Sequence, residues 1–552
     1  MHRDPRSRLV VLTALLAAAS ALSVACGAPP AGGPEGQLEI GAGDITKLDG
    51  KYDTSAEAVF LDFEFDGFVR HGSTWNVQRV IEDQLLYTIG HLNGDRSVGR
   101  LDRLVLSGIE TERDGEAYRT TYHARLPVAW GDKEDVPATY TFTLPIDMRY
   151  EGQKAFTDSY GHSCVEWGAH DVTPGSMWYY YRPRRSGCRI SEEDAFTAQA
   201  TVTLSEVNTT GKYPEYDKVW ADGVLKVVAI FGKYEDGATD ASDAGISAYN
   251  RFVREMKQAL AGHALRTIPE SVPSYPGIAV PDITFEATLE EGRQVQVVAL
   301  LVDNVRSAGP DFDHRYESLT PEADLIAYNG HAGLGANIRA LARKGSWQRG
   351  QYAIVFMNGC DTYAYVDTAL FDAHAEVNPD DPTGTKYLDI VTNAMPSFFR
   401  SMASATKVLV EGLMQYDEPL TYERIFERVD SSQVILVSGE EDNTFVPGGS
   451  DGPGTHSWPG LYAEGTLARG EMQRYETPPL APGVYVFEME GEGDADLYVR
   501  VGEAPTLSAF DCRPFTTGSD EACQVELTAA APIHVMVRGW TASSYRLQGK
   551  SE

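Results

Sequence analysis

Two stretches decide the fold: Leu325-Ile326-Ala327-Tyr328-Asn329-Gly330-His331-Ala332-Gly333-Leu334-Gly335 and Ala353-Ile354-Val355-Phe356-Met357-Asn358-Gly359-Cys360-Asp361-Thr362. Each is a short apolar run that stops at Asn-Gly and then presents one chemically capable side chain. Runs this short and this apolar read as strands buried on both faces. Between them, residues 337–344 have helical spacing. A strand, a crossover helix and a second strand make the two strands parallel, so their carboxyl ends emerge at one edge of the sheet. Open α/β sheets place their ligands at that edge. If the strands are neighbours, His331 and Cys360 emerge side by side.

The same alternation extends outward over residues 216–465. Residues 224–231 and 295–302 are further buried-type strands, and Ile246, Tyr249, Val253, Met256 and Leu260 mark an amphipathic helix. Residues 387–402 are predicted as a helix that contains Pro396, and residues 408–410 as the start of a fifth strand. This pattern predicts a central α/β domain with a mainly parallel sheet. Residues 46–215 read as a β-rich α+β domain: a helix over 75–87, then alternating strands over 104–109, 118–126, 139–144 and 198–204. The aromatic run Met177-Trp178-Tyr179-Tyr180-Tyr181 is read as sheet packing in preference to a ligand surface. Residues 466–552 return to short strands broken by Gly and Pro, enough for a small C-terminal β-sandwich. The fold class is therefore multidomain, in keeping with a length of 552 residues.

Lys and Arg total 47 against 80 Asp and Glu, a formal net charge of −33. A body this acidic repels phosphate backbones, so no nucleic-acid partner is expected. The first residues are read as targeting, not fold. Arg3, Arg6 and Arg8 precede a short apolar stretch, and Leu22-Ser23-Val24-Ala25 leads to Cys26. Residues 1–25 read as a secretory signal peptide. The cysteine directly after the small-residue cleavage site resembles a bacterial lipoprotein signal, which implies a lipidated Cys26 as mature N-terminus and as the link to a membrane. Residues 26–45, rich in Gly, Pro and Ala, would then be the lipid-anchored tether. The expected location is the cell envelope, at the outer membrane or cell surface.

Export implies an oxidising compartment, where thiols pair. Cys164 and Cys188 share one segment and can close a loop; Cys512 and Cys523 can do the same. Cys360 is then left alone, and an unpaired thiol in an exported protein is a candidate reactive group. An imidazole beside it can take the thiol proton, leaving a thiolate to attack a carbonyl carbon, and can then protonate the leaving amine. Backbone N–H groups at Ala332, Gly333 and Gly359 to Cys360 are candidates to stabilise the oxyanion. For a group to orient His331, Asp303 is the best guess; Asp361 adjoins the thiol, where its charge would oppose thiolate formation. Both carboxylates are expected to be ordinary loop residues.

The apolar strand ending in Asn329-Gly330-His331, followed at short spacing by a second apolar strand ending in Cys360, resembles the caspase-like cysteine peptidases, and its spacing is most similar to the gingipain-like branch. The resemblance implies a general base at His331 and a nucleophile at Cys360, acting on protein or peptide substrates. Two positions depart from that group's pattern: Ala332 stands where Gly is usual, and Gly359 where Ala or another small residue is usual. Ala332 still offers its N–H, provided its φ is negative.

A second resemblance covers the C-terminal segment. Gly493-Asp494-Ala495-Asp496-Leu497-Tyr498-Val499-Arg500, Phe510-Asp511-Cys512-Arg513-Pro514-Phe515, Glu521-Ala522-Cys523 and Val535-Met536-Val537-Arg538-Gly539-Trp540 look like the bacterial pre-peptidase C-terminal domain. It implies a β-sandwich, a Cys512–Cys523 disulfide and an exported hydrolase. Related domains can bind calcium, which makes Asp494 and Asp496 candidate ligands; a turn-capping role for Asp496 is preferred. No other metal or cofactor is expected. His162, Cys164 and His170 lie close in sequence, but Cys164 has its disulfide partner, and there is no His-Glu-x-x-His. Three functions compete: a cysteine peptidase, a catalytically inactive caspase-like lipoprotein that binds protein, and a glycan-binding module built on the aromatic segment.

Overall fold

The computed structural model describes residues 52–289, 292–441, 443, 445–447, 461–477, 480, 483–514, 516–527 and 531–551. The signal-peptide, Cys26 and tether readings lie outside the described residues.

The middle of the chain forms a nine-stranded mixed sheet. Five strands run parallel, in the spatial order Leu388–Asn393, Ala353–Asn358, Leu325–Asn329, Val224–Gly232, Gln294–Val302. Antiparallel strands flank them: Ile435–Gly439 and Thr54–Ser55 on one side, Asp282–Thr288 and Arg266–Ile268 on the other. The apolar runs are buried on both faces because helices cover both. Val227, Ala229, Phe231, Ala327, Ile354 and Phe356 pack toward helices Ala244–Ala259 and Phe399–Leu413. Their alternating neighbours Val228, Ile230, Ile326, Tyr328, Val355 and Met357 pack toward Pro310–Leu319, Ala336–Lys344 and Ala369–Val377. A core on each face of a period-two strand explains why no polar alternation marks these segments.

Two expectations are corrected here. Residues 387–402 are not one helix: Leu388–Asn393 is a fully buried strand, and Pro396 falls in the loop that follows it. Residues 408–410 do not begin a strand but lie inside helix Phe399–Leu413. Their β-branched residues suggested a strand locally, whereas Met402, Ala405, Leu409 and Leu413 repeat at helical spacing on the face the sheet buries. The run 388–393 lost its strand signature because it carries Asp389, whose charge is matched in the core by Lys212 at 2.7 Å.

The N-terminal part is a six-stranded antiparallel sheet built on Val59–His71 and Ala117–Trp130. Helices Val77–Leu85, Tyr87–Asn93 and Tyr150–Tyr160 belong to the same part. It does not stand apart from the central sheet. Its core is continuous with Tyr363, Ala364, Ala394, Val434 and Leu436, and Phe60 meets Tyr363 at 5.9 Å between ring centroids. The aromatic run at 177–181 does pack into the core of the N-terminal sheet through Met177, Trp178 and Tyr181, but from a helical turn, Met177–Tyr180, seated on helix Tyr87–Asn93. A methyl group at Gly90 would lie 2.3 Å from the Trp178 carbonyl oxygen, so only glycine permits this approach.

The C-terminal strands form a sandwich of a four-stranded sheet and a three-stranded sheet. Phe487, Leu497, Val499, Val535, Val537 and Leu547 fill the space between them.

Candidate functional site

Asn329 and Asn358 pair directly across the parallel ladder, and His331 and Cys360 each lie two residues beyond that pair. The loops that follow are in contact. Gly330 N–H donates to the Asn358 carbonyl at 3.3 Å. A methyl group on Gly359 would lie 2.8 Å from the Gly330 carbonyl oxygen and 3.3 Å from the Ala332 nitrogen. The geometry therefore brings together the backbones of the two loops, at Gly330, Ala332 and Gly359, that carry His331 and Cys360. Ala332 has φ −65°, so its side chain is unstrained, and the positive φ needed to turn the chain falls on Gly333 at 60°.

Three neighbouring strands end in asparagine, and these side chains knit the sheet edge. Asn358 Nδ2 donates to Asn329 Oδ1 at 2.9 Å. Its Oδ1 accepts from Asn393 Nδ2 at 3.1 Å, Ser397 Oγ at 2.9 Å and Gln433 Nε2 at 3.0 Å. Buried hydrogen-bonded networks of this kind rigidify what they support, although Gln433 Oε1 is left without a partner. Sequence reasoning passed over these residues, although the repeated Asn-Gly at both strand ends was a visible signal.

The imidazole is exposed and lies among aromatic rings, 5.0 Å from Tyr234 and 5.2 Å from Phe399 between centroids. Its Nε2 lies 3.1 Å from the Tyr234 carbonyl oxygen. A carbonyl only accepts, so Nε2 carries the proton and Nδ1 keeps the lone pair that a base requires. The orienting group is thus a main-chain carbonyl, not Asp303. That carboxylate is held by Lys233 at 2.5 Å and by the Gly237 N–H at 3.1 Å, which keep it below the usual carboxylate range.

Cys360 is the one free cysteine among the described residues. Cys164–Cys188 and Cys512–Cys523 are disulfides. The thiol is partly exposed but hemmed in on most sides, and it turns toward the Ser397 carbonyl oxygen at 3.5 Å. Burial pushes it up to about 12; the adjoining Asp361 charge adds to the rise, and the Tyr179 hydroxyl opposes it. No hydrogen bond joins Cys360 to His331. Asp361, expected as an ordinary loop residue, is instead fully buried, with a left-handed backbone at φ 51°. Burial raises it to about 7, against the Tyr179 hydroxyl, Arg182 and Asn93, which favour its ionised form.

In the C-terminal sandwich, Asp496 is paired with Arg513 at 3.0 Å, and Asp494 accepts the Gly518 N–H at 3.1 Å. An ion pair, not a turn cap, thus occupies Asp496. Among the described residues no group of three or more His, Cys, Asp and Glu is arranged to hold a metal ion.

Residues 481–539 match the family Bacterial pre-peptidase C-terminal domain. Similar curated proteins share this region alone. The "Neutral protease" of Vibrio proteolyticus is 40% identical over 74 residues, 13% of this chain and 12% of that protein. The "Zinc metalloprotease" of Helicobacter pylori is 47% identical over 51 residues, 9% of this chain and 20% of that protein. The "Alkaline serine exoprotease A" of Vibrio alginolyticus is 53% identical over 51 residues, 9% of this chain and 10% of that protein. This chain thus spans a fifth or less of those relatives. Among solved structures, "Solution structure of vEP C-ter 100" is 34% identical, covering 15% of this chain and 84% of that one at a TM-score of 0.14. The pre-peptidase C-terminal domain is followed on this chain by one further strand, Ser543–Ser551, which completes its four-stranded sheet.

Proposed function

We propose that the chain is an exported cysteine peptidase, with Cys360 as nucleophile and His331 as general base. The observation that carries this is the contact between the two strand-end loops, with the imidazole oriented by the Tyr234 carbonyl. The placing of the histidine loop and the cysteine loop on adjacent parallel strands supports this reading. The pre-peptidase C-terminal domain supports a hydrolase partner domain, since its relatives carry the names of proteases. Those names span serine and metallo chemistry, so the catalytic type rests on His331 and Cys360 alone.

In the proposed reaction the thiol proton passes to His331 Nδ1 and the sulfur attacks the peptide carbonyl carbon. The Ala332 and Gly333 N–H groups face the developing oxyanion. The imidazolium protonates the leaving amine, and water, deprotonated by the same nitrogen, releases the acid from the thioacyl intermediate. Lipidation of Cys26 would hold the enzyme at the cell envelope.

One observation favours a second reading, a non-catalytic protein- or glycan-binding lipoprotein: the thiol is held protonated and faces Ser397, not the imidazole. The test is hydrolysis of a denatured protein substrate by the mature chain, with Cys360→Ala and His331→Ala as controls. Cleavage lost in both variants supports the peptidase. Cleavage retained in either, or absent from the wild type, leaves the binding reading.

A further inference from the structure

Along the carboxyl edge of the central sheet, the strand of Cys360, the strand of His331 and strands Val224–Gly232 and Gln294–Val302 follow one another in parallel. At the ends of the last two lies a cavity of about 430 Å³, within the range of small-ligand sites. Ile278, Leu301 and Phe312 give it apolar walls, and Lys233, Asp236 and Asp303 give it charge. The loop 233–237 is shared between this cavity and the candidate site. The Tyr234 carbonyl holds the imidazole, while Lys233 and Asp236 on either side of it line the cavity. Asp243 accepts the N–H groups of Tyr234 at 3.1 Å and Glu235 at 3.0 Å, and Asp303 accepts that of Gly237 at 3.1 Å. The loop is therefore pinned before any substrate arrives.

The three charges are not equivalent. Lys233 is largely buried and committed to Asp303 at 2.5 Å. Asp236 is exposed, and among the described residues its carboxylate has no hydrogen-bond or ion-pair partner. The cavity is left with one free negative charge, on a loop whose continuation adds Asp240 and Asp243. Apolar walls beside a free carboxylate fit the stem and the charged head of a lysine or arginine side chain.

Acid–base chemistry sets which half of a substrate comes here. The imidazole must hand its proton to the leaving amine, so the amine half of a cleaved chain lies on the imidazole side of the sulfur. Neighbouring strands are ~4.8 Å apart, which puts the cavity about 7 Å beyond the His331 strand. An extended chain covers that distance in roughly two or three residues. We propose that this cavity is a subsite for a basic side chain at the second or third residue of the leaving half of the substrate, selected by Asp236. Asp303 is its positioning residue: it keeps Lys233 from neutralising Asp236 and holds the loop through Gly237. The proposal rests on the peptidase reading for the direction of the substrate chain and adds a substrate class to it.

The experiment uses quenched fluorescent peptides that share one acyl half and carry Lys, norleucine or Glu at the second or third residue of the leaving half. Their kcat/KM is measured with the mature, disulfide-intact chain, and fluorescence anisotropy measures their binding to Cys360→Ala. Lys is expected to exceed norleucine by about tenfold, the worth of one charge-assisted hydrogen bond, with Glu slowest. Asp236→Asn should bring the Lys-to-norleucine ratio to about one, and Asp236→Lys should make Glu the preferred residue. Asp303→Asn frees Lys233 to pair with Asp236 and should lower the ratio as well. A purely structural role would slow all three peptides together and leave the ratio in place. Cleavage that is lost in Cys360→Ala but equal for the three peptides, or a preference for Lys that survives Asp236→Asn, overturns the proposal and leaves the peptidase reading. Absence of cleavage, with Lys-selective binding that Asp236→Lys reverses, keeps the site for a basic side chain and ends the peptidase reading. Absence of both cleavage and charge-dependent binding overturns the two together.

Discussion

Replacing Gly359 with alanine tests whether the two strand-end loops touch as described. The added methyl would sit 2.8 Å from the Gly330 carbonyl oxygen and 3.3 Å from the Ala332 nitrogen. Carbon and oxygen need a separation nearer ~3.4 Å, so the loops must part by roughly half an ångström. A long side chain could swing away, but both atoms are backbone. Gly330 is tied to the Asn358 carbonyl, and the His331 carbonyl oxygen accepts from Tyr328 Oη at 3.1 Å and Asn337 Nδ2 at 2.5 Å. Overpacking against fixed neighbours costs about 1–3 kcal/mol. At roughly 2–4 °C per kcal/mol for a domain of this size, Gly359→Ala is expected to lower Tm by ~2–12 °C. Because the displaced atoms carry the proposed base and nucleophile, hydrolysis should fall by one to two orders of magnitude, as misplacements approaching ~1 Å do. Circular-dichroism melting and a peptide-hydrolysis assay on the same preparation check both. A variant with unchanged Tm and unchanged turnover would refute the contact between the loops, and with it the pairing of His331 and Cys360.

Three further outcomes follow from buried groups. Lys212→Met leaves the Asp389 carboxylate unpaired in a core where both side chains are wholly buried, and should destabilise the central domain by about 3–5 kcal/mol in urea titration. His374 is buried against Trp347, neither ring nitrogen has a partner, and burial lowers it to about 4. Its unfolded form takes up a proton first, so stability should fall as pH drops from ~6.5 to ~4, by up to ~3 kcal/mol, and His374→Leu should flatten that slope. Gly90→Ala drives a methyl into the Trp178 carbonyl and should destabilise the chain by about 1–3 kcal/mol in urea titration; an unchanged midpoint would show that helix Met177–Tyr180 does not pack closely on Gly90.

The strand–helix–strand unit around His331 and Cys360 was legible because doubly buried strands are continuous apolar runs, and the glycines after them punctuate clearly. The strand at 388–393 was not legible, since its Asp389 breaks the run and is neutralised by a lysine far away in sequence. The disulfides were readable from cysteine positions, and the pre-peptidase C-terminal domain from its dense local motifs. The orienting partner of His331 was out of reach of any residue-type search, because it is the main-chain carbonyl of Tyr234.

The sequence by itself determined which strand ends present His331 and Cys360, since that follows from periodicity along the chain. Only the tertiary structure decided what surrounds them: the Ser397 carbonyl at the thiol, the burial of Asp361, and an N-terminal domain whose core runs into that of the central sheet. Periodicity reports which face of an element is buried. It carries no information on what a distant segment will press against that face.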